Sequence, residues 1–304
     1  MTAMEQALWY DWRVGDRPLP RADRIYYGHE TCERLLPSRR RAQAFAASLA
    51  QRPGSRLTLV TPFLTDDGLR RVLALIDILL TRLGELEVVC SDWGLVHELS
   101  RERTVTLVLG RLLTAQVTDP RIPRLLEQSP SERTPREIRH MDGTRCALKP
   151  AFASDSLRQH YRSCWVDKPE AIALLGRYGI GRCELSNAAQ GLALAFSGLR
   201  YTLHMPEVLV TVMRTCPGRG EDFNRPPAAC PCTGDPAAGR PVTWSHATLP
   251  VALFRRDNAL YYHWPAIPDD LHRLPVDRIV AGSGDCSTAA AILKKGARIE
   301  QQKK

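Results

Sequence analysis

The chain has no hydrophobic run long enough to cross a membrane. Its longest apolar stretch, Val72–Leu80, is interrupted by Asp77 and falls far short of the roughly 20 residues that a membrane-spanning helix needs. The first residues reach Asp11 and Arg13 without the apolar segment of a signal peptide. We therefore expect a cytoplasmic protein with no membrane span.

The chain also lacks the motifs of common hydrolases. It has no Gly-x-Ser-x-Gly nucleophile elbow, and His97-Glu98 lacks the second histidine of a His-Glu-x-x-His metal site. Peptidase activity is therefore not expected. The 42 Lys and Arg residues, against 33 Asp and Glu, are spread along the chain rather than interleaved with aromatics. This pattern disfavours sequence-specific DNA binding and leaves only weak RNA or polyanion binding open.

A disulfide framework is not expected either. The cysteine count of nine is odd, and a reducing compartment keeps thiols free. Cys90 and Cys164 stand singly in apolar runs, as buried structural cysteines do. Cys216, Cys230 and Cys232 instead fall within seventeen positions of a stretch rich in proline and glycine. Prolines can fix turns that present thiolates to one metal, and thiolates favour iron–sulfur or zinc; incidental loop cysteines are the alternative.

Short β-rich runs alternate with amphipathic helical stretches, which predicts a parallel sheet with helical crossovers. About eight parallel strands favour an α/β fold of the TIM-barrel type, incomplete or distorted, over an open doubly wound sheet. Residues 1–117 would form the first half of the barrel and 118–163 a surface insertion or excursion. Residues 164–296 would form the second half with the cysteine loop 214–240, and 297–304 a basic tail. The predicted strands are Arg24–Gly28, Leu57–Pro62, Leu86–Ser91, Val105–Gly110, Cys164–Val166, Arg182–Ser186, Leu192–Ser197, Val208–Met213, Leu253–Phe254, Ala259–Trp264 and Arg278–Ala281.

A barrel of this type carries its functional groups at the carboxyl ends of its strands. Cys32 follows the first of these predicted strands and is a candidate fourth metal ligand. A position at a helix cap is its alternative, and Cys183, inside a predicted strand, is its main competitor. Glu30 and Asp92 also follow predicted strands. Both are candidate catalytic residues, with helix capping as the alternative.

His204 is the third candidate catalytic residue. It stands between two apolar runs ahead of the cysteine loop, and a place at the barrel mouth would make it an acid–base or hydrogen-bonding group. A partly buried structural histidine is the alternative. An aromatic group near the start of the chain would either line a pocket or pack the floor of the barrel; its members are Trp9, Tyr10, Trp12, Tyr26 and Tyr27.

Four short segments resemble the collagenase-like peptidase family of unassigned catalytic type, family U-thirty-two. The likeness is greatest to its small members that assist anaerobic ubiquinone hydroxylation. The segments are Ile25-Tyr26-Tyr27-Gly28-His29-Glu30-Thr31-Cys32, Val88-Val89-Cys90-Ser91-Asp92-Trp93-Gly94, Cys183-Glu184-Leu185-Ser186-Asn187 and Arg214-Thr215-Cys216-Pro217. The resemblance implies a barrel-like fold and a 4Fe–4S cluster held by four cysteines, which would be Cys32, Cys216, Cys230 and Cys232. It also implies a heterodimer with a related iron–sulfur protein.

The sequence departs from this family in two places. Thirteen residues separate Cys216 from Cys230 before a Cys-Pro-Cys ending, and the segment 118–163 has no counterpart. These departures leave the subfamily and its substrate open.

The resemblance implies oxygen-independent hydroxylation in ubiquinone biosynthesis or a related pathway. The alternatives are an RNA nucleobase-modifying enzyme and a zinc-binding or structural barrel without catalysis.

Overall fold

Eight parallel strands close into a barrel in the computed structural model, which confirms the predicted α/β fold of TIM type. The structure describes residues 4–13, 18–19, 21–52, 54–102, 104–128, 136–148, 153–195, 198–213, 242–247 and 249–282. Around the barrel the strand order is β1-β14-β9-β8-β5-β4-β3-β2. These strands are β1 Glu5–Tyr10, β2 Arg24–Gly28, β3 Arg56–Val60, β4 Glu87–Cys90, β5 Thr106–Leu109, β8 Arg182–Ser186, β9 Arg200–Met205 and β14 Val276–Ala281.

The helices pack on the outside of the barrel. Ile25, Leu59 and Val88 point outward into one continuous core that they share with the helices, because alternate residues of a strand face opposite sides of the sheet. Helix α2 begins after Thr65, whose hydroxyl accepts a hydrogen bond from the Gly68 amide. No helix within the described ranges has both the length and the apolarity to cross a bilayer. The helices are α1 Arg39–Ala50, α2 Asp66–Leu83, α3 Trp93–Glu102, α4 Ile122–Glu127, α5 Asp155–Arg162 and α6 Pro169–Arg177.

The chain leaves the regular strand–helix alternation between β5 and β8. These two strands share one registered pair, Leu109 with Cys183. The residues between them include α4 and α5, and a separate hairpin of β6 Arg136–Arg139 and β7 Arg145–Leu148. The β5–β8 seam is therefore the least paired seam of the barrel, since every other neighbouring pair is registered at three or more positions.

A second sheet stands beside the barrel mouth. It is antiparallel, in the order β10-β13-β12-β11, and β10 follows β9 directly through a cis peptide bond between Met205 and Pro206. This sheet contributes a wall to the cavity at the carboxyl end of the barrel. Its strands are β10 Glu207–Val212, β11 Val242–Trp244, β12 Leu253–Arg256 and β13 Ala259–His263.

Several predicted strands lie outside the barrel or are not strands in the structure. Val208–Met213, Leu253–Phe254 and Ala259–Trp264 overlap strands of the antiparallel sheet, not of the barrel. The prediction for Cys164–Val166 was wrong, since Trp165–Asp167 form a 3-10 helix, and residues 192–195 form no strand. The barrel instead contains β1 and β9, which were not predicted because charged and aromatic residues interrupt their apolar periods.

The barrel interior contains charged residues where such barrels usually hold bulky branched side chains. Arg278 is 2% exposed and donates to Glu87 Oε1 at 2.6 Å, Glu5 Oε2 at 2.6 Å and Tyr26 Oη at 3.0 Å. Burial alone raises the pKa of Glu87, but the Arg278 guanidinium, together with Arg24 and Thr58, outweighs burial and brings that pKa below its ordinary value. We call the linked residues Glu5, Glu87, Arg278, Tyr26, Glu184 and His204 the polar ladder.

Removing the guanidinium at the centre of this ladder should destabilise the whole barrel. Arg278→Met leaves Glu87 and Glu5 short of their buried counter-charge, and we expect a loss of about 3–5 kcal/mol in the free energy of unfolding. Arg200 is the matched control: it bonds Asp277 at 2.8 Å with its side chain 60% exposed. Arg200→Met should cost at most about 1 kcal/mol. Equal losses in urea denaturation would contradict a structural role for the ladder.

Candidate functional site

A small cavity opens at the carboxyl end of the barrel, with a volume of about 50 Å³. Its floor is the upper end of the barrel interior, where Trp9, His204 and Val280 meet. Its walls come from the loop after β2, from Arg111 after β5, and from Glu207, Asp257 and Tyr261 of the antiparallel sheet and its turns. This is the end of a barrel at which catalytic groups collect.

His204 is held from below by a buried carboxylate. Its Nε2–H donates to Glu184 Oε2, and Tyr26 Oη donates to Glu184 Oε1 at 2.8 Å. The side chain of Glu184 is fully buried. Burial, and then the charge of Glu184, raise the pKa of Tyr26 well above its ordinary value, so the phenol stays protonated and remains a donor. A proton on Nε2 leaves Nδ1 of His204 as the ring atom available to the cavity.

A buried ion pair forms the next part of the wall. Arg111 Nε donates to Glu30 Oε1 at 2.9 Å, and Arg111 Nη2 donates to Glu30 Oε2. Arg111 also donates to Ser186 Oγ at 3.1 Å. Burial by itself raises the pKa of Glu30, but the charge and hydrogen bonds of Arg111 outweigh it, so the pKa lies below its usual value. Glu30 is therefore a carboxylate committed to Arg111 at neutral pH.

A second charged cluster joins the loop after β2 to the antiparallel sheet. His29 Nδ1 accepts from the Thr31 and Cys32 amides at 3.3 and 3.2 Å, which leaves its proton on Nε2. That Nε2–H donates to Asp257 Oδ2 at 3.2 Å, and Arg13 donates to Asp257 Oδ1 at 3.0 Å. Burial raises the pKa of Asp257, but the bonds from His29 and Arg13 prevail and lower it to about 2.

Asn258, the next residue in the same turn, ties two chain segments together. Its Nδ2 donates to Thr31 O at 2.7 Å and to Met213 O at 2.9 Å. Thr31 directly precedes Cys32, and Met213 ends the described part of the chain before residue 242. We call this arrangement the Asn258 clamp. It holds the Cys32 loop beside the point from which the chain continues toward Cys216.

The three residues predicted to be catalytic occupy different surroundings. His204 and Glu30 line the cavity, whereas Asp92 accepts from the Gly94 and Leu95 amides at 2.8 and 3.2 Å in the first turn of α3. Asp92 thus has the capping position that the sequence left as its alternative. No described residue forms a hydrogen bond with Nδ1 of His204. Of the three side chains, His204 is therefore the one whose polar atom at the cavity is not already engaged by a described residue. Catalytic roles for all three stay predictions.

The cysteines predicted as ligands are only partly within the described ranges. Cys216, Cys230 and Cys232 lie outside them. Cys32 is half-buried and precedes the 3-10 helix Glu33–Leu35. In the part of the chain that the structure describes, no three His, Cys, Asp or Glu side chains form a group able to hold a metal ion. The four-cysteine ligand set remains a prediction.

Several residues of the site were not found from the sequence. Glu184 sits in Arg182–Ser186, where charged and polar residues at alternate positions were a readable sign of an inward polar face. Arg111, Asp257 and Asn258 gave no such sign, because only the folded chain brings them to the mouth from distant segments. In the aromatic group, Trp9 and Tyr26 face the interior, while Tyr27 stacks on Phe45 of α1 at 3.9 Å.

The low pKa of Asp257 predicts an acid-sensitive component of stability. Its ionised form is favoured by folding, so the contribution of about 2 kcal/mol is complete above pH 4 and is lost as the pH falls from about 4 to about 2. Asp257→Asn should lower the free energy of unfolding by this order at pH 7. Asparagine preserves the shape of the side chain, and it tolerates the left-handed backbone conformation at this position, φ 56°. Denaturation at pH 7, 4, 3 and 2 should show the difference between the two proteins shrinking; a constant difference would contradict the assignment.

Comparison with known proteins leaves the family open. The chain matches no protein-family model and no curated protein. A solved structure, that of the U32 peptidase Mk0906, is similar over 94% of each chain, with 11% sequence identity and a TM-score of 0.39.

Proposed function

We propose that this chain is an iron–sulfur protein whose 4Fe–4S cluster lies at the barrel mouth. Its ligands would be Cys32, Cys216, Cys230 and Cys232, and its role would be in the oxygen-independent hydroxylation of an organic substrate. Ubiquinone biosynthesis or a related pathway would supply that substrate. The observation that carries the proposal is the Asn258 clamp, which brings the Cys32 loop and the start of the cysteine-bearing segment to one point.

Chain connectivity supports this convergence. Cys216 follows Met213 by three residues, and three extended residues span at most roughly 11 Å. Met213 O and Thr31 O accept hydrogen bonds from the same amide nitrogen of Asn258. A connection of this length would allow a thiol on Cys216 to reach Cys32, although the two residues are 184 positions apart in the chain.

The surroundings of the cysteines favour Cys32 over Cys183 as a ligand. Cys183 is fully buried in the core between barrel and helices, and burial raises the pKa of its thiol. A metal needs the thiolate, which such burial disfavours. Cys32 is instead half-buried, in the loop that follows β2 at the mouth.

Each part of the site has a distinct task under this proposal. A bound cluster would supply electron transfer or an iron coordination position. His204 would hold or donate a proton at Nδ1, and the Glu30–Arg111 pair would keep the wall of the cavity fixed. Asp92 would fix the start of α3. A heterodimer with a related iron–sulfur protein is part of the same proposal.

Anaerobic purification tests the cluster directly. The chain purified without oxygen should be brown, absorb broadly in the visible range and contain about four irons and four sulfides per chain. Cys32→Ser should remove most of this absorption and iron, because serine does not provide the thiolate. A colourless protein with zinc, or with no metal, would contradict the proposal and favour the zinc-binding or structural alternative.

A matched control separates loss of a ligand from general loss of thiols. Cys146 is an exposed cysteine on β7, in the hairpin between β5 and β8. Cys146→Ser should leave iron, sulfide and absorption unchanged. A similar loss in both variants would mean that Cys32 has no special place in metal binding.

A further inference from the structure

A second cavity lies on the outer side of the barrel, beside α1 and the strands β1 and β2. In barrels of this type each strand is followed by a helix that covers the outside, but the described residues between Tyr10 and Arg24 contain no helix. The space has a volume of about 700 Å³, which is the size of a small-molecule site, whereas the mouth cavity has about 50 Å³. We call it the side cavity.

Aromatic rings form much of the wall of the side cavity. Tyr27 of β2 stacks on Phe45 of α1 with ring centroids 3.9 Å apart, and the ring of Tyr10 lies 5.4 Å from that of Phe45. Trp12, just after β1, also lines the cavity. The guanidinium of Arg41 lies over its indole, 4.5 Å from the ring centroid. A wall of this kind offers flat faces on which a planar ring can stack.

The hydroxyl of Tyr27 is buried without a hydrogen-bond partner. Tyr27 is 1% exposed, and its Oη is one of the few buried polar atoms left unpaired, a costly state in a folded protein. Burial raises the pKa of Tyr27 well above its ordinary value, so the phenol is a donor; Tyr10 raises the pKa further and Arg41 lowers it. Both of these neighbours line the side cavity, which puts the hydroxyl on the cavity side of the ring.

Positive charge at the side cavity is not balanced by its described lining. Arg13, Arg41 and Arg52 line it, and none of the described lining residues is a carboxylate. Arg13 is matched by two aspartates outside the lining. Arg41 instead lies over an indole, and Arg52 donates to a backbone carbonyl; neither forms an ion pair within the described ranges. An anionic group would supply the missing charge and an acceptor for these donors.

We propose that the side cavity binds a planar aromatic molecule that carries a carboxylate. Arg41 is exposed on α1, and its long side chain moves off the Trp12 indole to pair with the carboxylate. The ring of the ligand takes the place of the guanidinium on Trp12. The same movement uncovers the Tyr27 hydroxyl, which donates to a carboxylate oxygen. The ligand thus meets the three features that the free cavity leaves open: a flat aromatic face, an unpaired guanidinium and an unpaired hydroxyl.

Calorimetric titration of the full chain with three probes of similar shape tests the ligand class. 2-Naphthoate should bind saturably at one site. 2-Naphthamide keeps the rings but lacks the charge, and should bind about fivefold more weakly or worse. Decahydronaphthalene-2-carboxylate keeps the charge but has no flat ring, and should bind about threefold more weakly or worse. Equal affinities for the three probes, or no saturable binding of 2-naphthoate, would overturn the proposal.

Arg41→Met locates the carboxylate. It removes the guanidinium but keeps a long side chain beside Trp12, so the affinity for 2-naphthoate should fall about fivefold or more. Arg40→Met is the matched control, because Arg40 is the preceding residue of α1, is exposed, and is not among the residues that line the side cavity. It changes the net charge equally and should leave the affinity within about twofold of wild type. Equal losses in the two variants would indicate attraction by general surface charge and overturn the proposed site.

Tyr27→Phe tests the buried hydroxyl with two readouts. The stack on Phe45 is kept and an unpaired polar atom is removed, so the thermal midpoint should stay unchanged or rise. The affinity for 2-naphthoate should nevertheless fall about threefold or more, because the carboxylate loses a donor. A folded variant that binds 2-naphthoate as tightly as wild type would overturn the role of the hydroxyl.

The outcome is separable from that of the proposed function. The side cavity lies on the outside of the barrel wall, and none of the residues that carry the argument is a proposed metal ligand. A metal-free chain that binds 2-naphthoate would reject the iron–sulfur proposal and retain this inference. A brown, iron-containing chain without saturable binding of 2-naphthoate would do the reverse.

Discussion

A single guanidinium inside the barrel determines much of the structure around it. Arg278 on β14 bonds Glu5 on the neighbouring strand β1 and Glu87 on β4 across the barrel. A buried charge must be matched by charges at hydrogen-bonding distance. The ion cluster therefore restricts how these three strands are placed relative to one another. Arg278 also donates to Tyr26 Oη, which donates to Glu184. The position of His204 at the opposite end of the barrel thus depends on an ion cluster near its amino end.

The barrel mouth is completed by a part of the chain that does not belong to the barrel. The turn between β12 and β13 provides Asp257, which bonds His29 and Arg13, and Asn258, which bonds Thr31 and Met213. Two consecutive residues of one turn therefore fix the loop after β2 from two directions. Asp257 does so with a left-handed backbone, φ 56°, a conformation that aspartate tolerates better than most residues.

The loop after β2 connects the two proposed activities of the mouth. Gly28 ends the strand with φ 121°, and a Cβ there would lie 2.3 Å from Val60 O, so the chain turns where no other residue fits. His29 then accepts the Thr31 and Cys32 amides, which shapes the loop that presents the cysteine. Glu30 from the same loop lines the cavity with His204. A metal centre at Cys32 and a proton donor at His204 would share this wall.

The sequence by itself determined the fold class, because hydrophobic periodicity reports which strands are buried by helices on their outer face. It located β2 and β8 at their observed bounds. It singled out Glu30 by its position after a predicted strand, and His204 by its place between two apolar runs ahead of the cysteine loop. It did not reveal β1 or β9, whose inward faces carry Glu5, Trp9 and His204, since a polar interior weakens the apolar pattern. Only the tertiary structure decided which residues face His204. Glu184, Arg111 and Asp257 reach the mouth from separate strands and turns, and their hydrogen bonds have no signature in the order of residues along the chain.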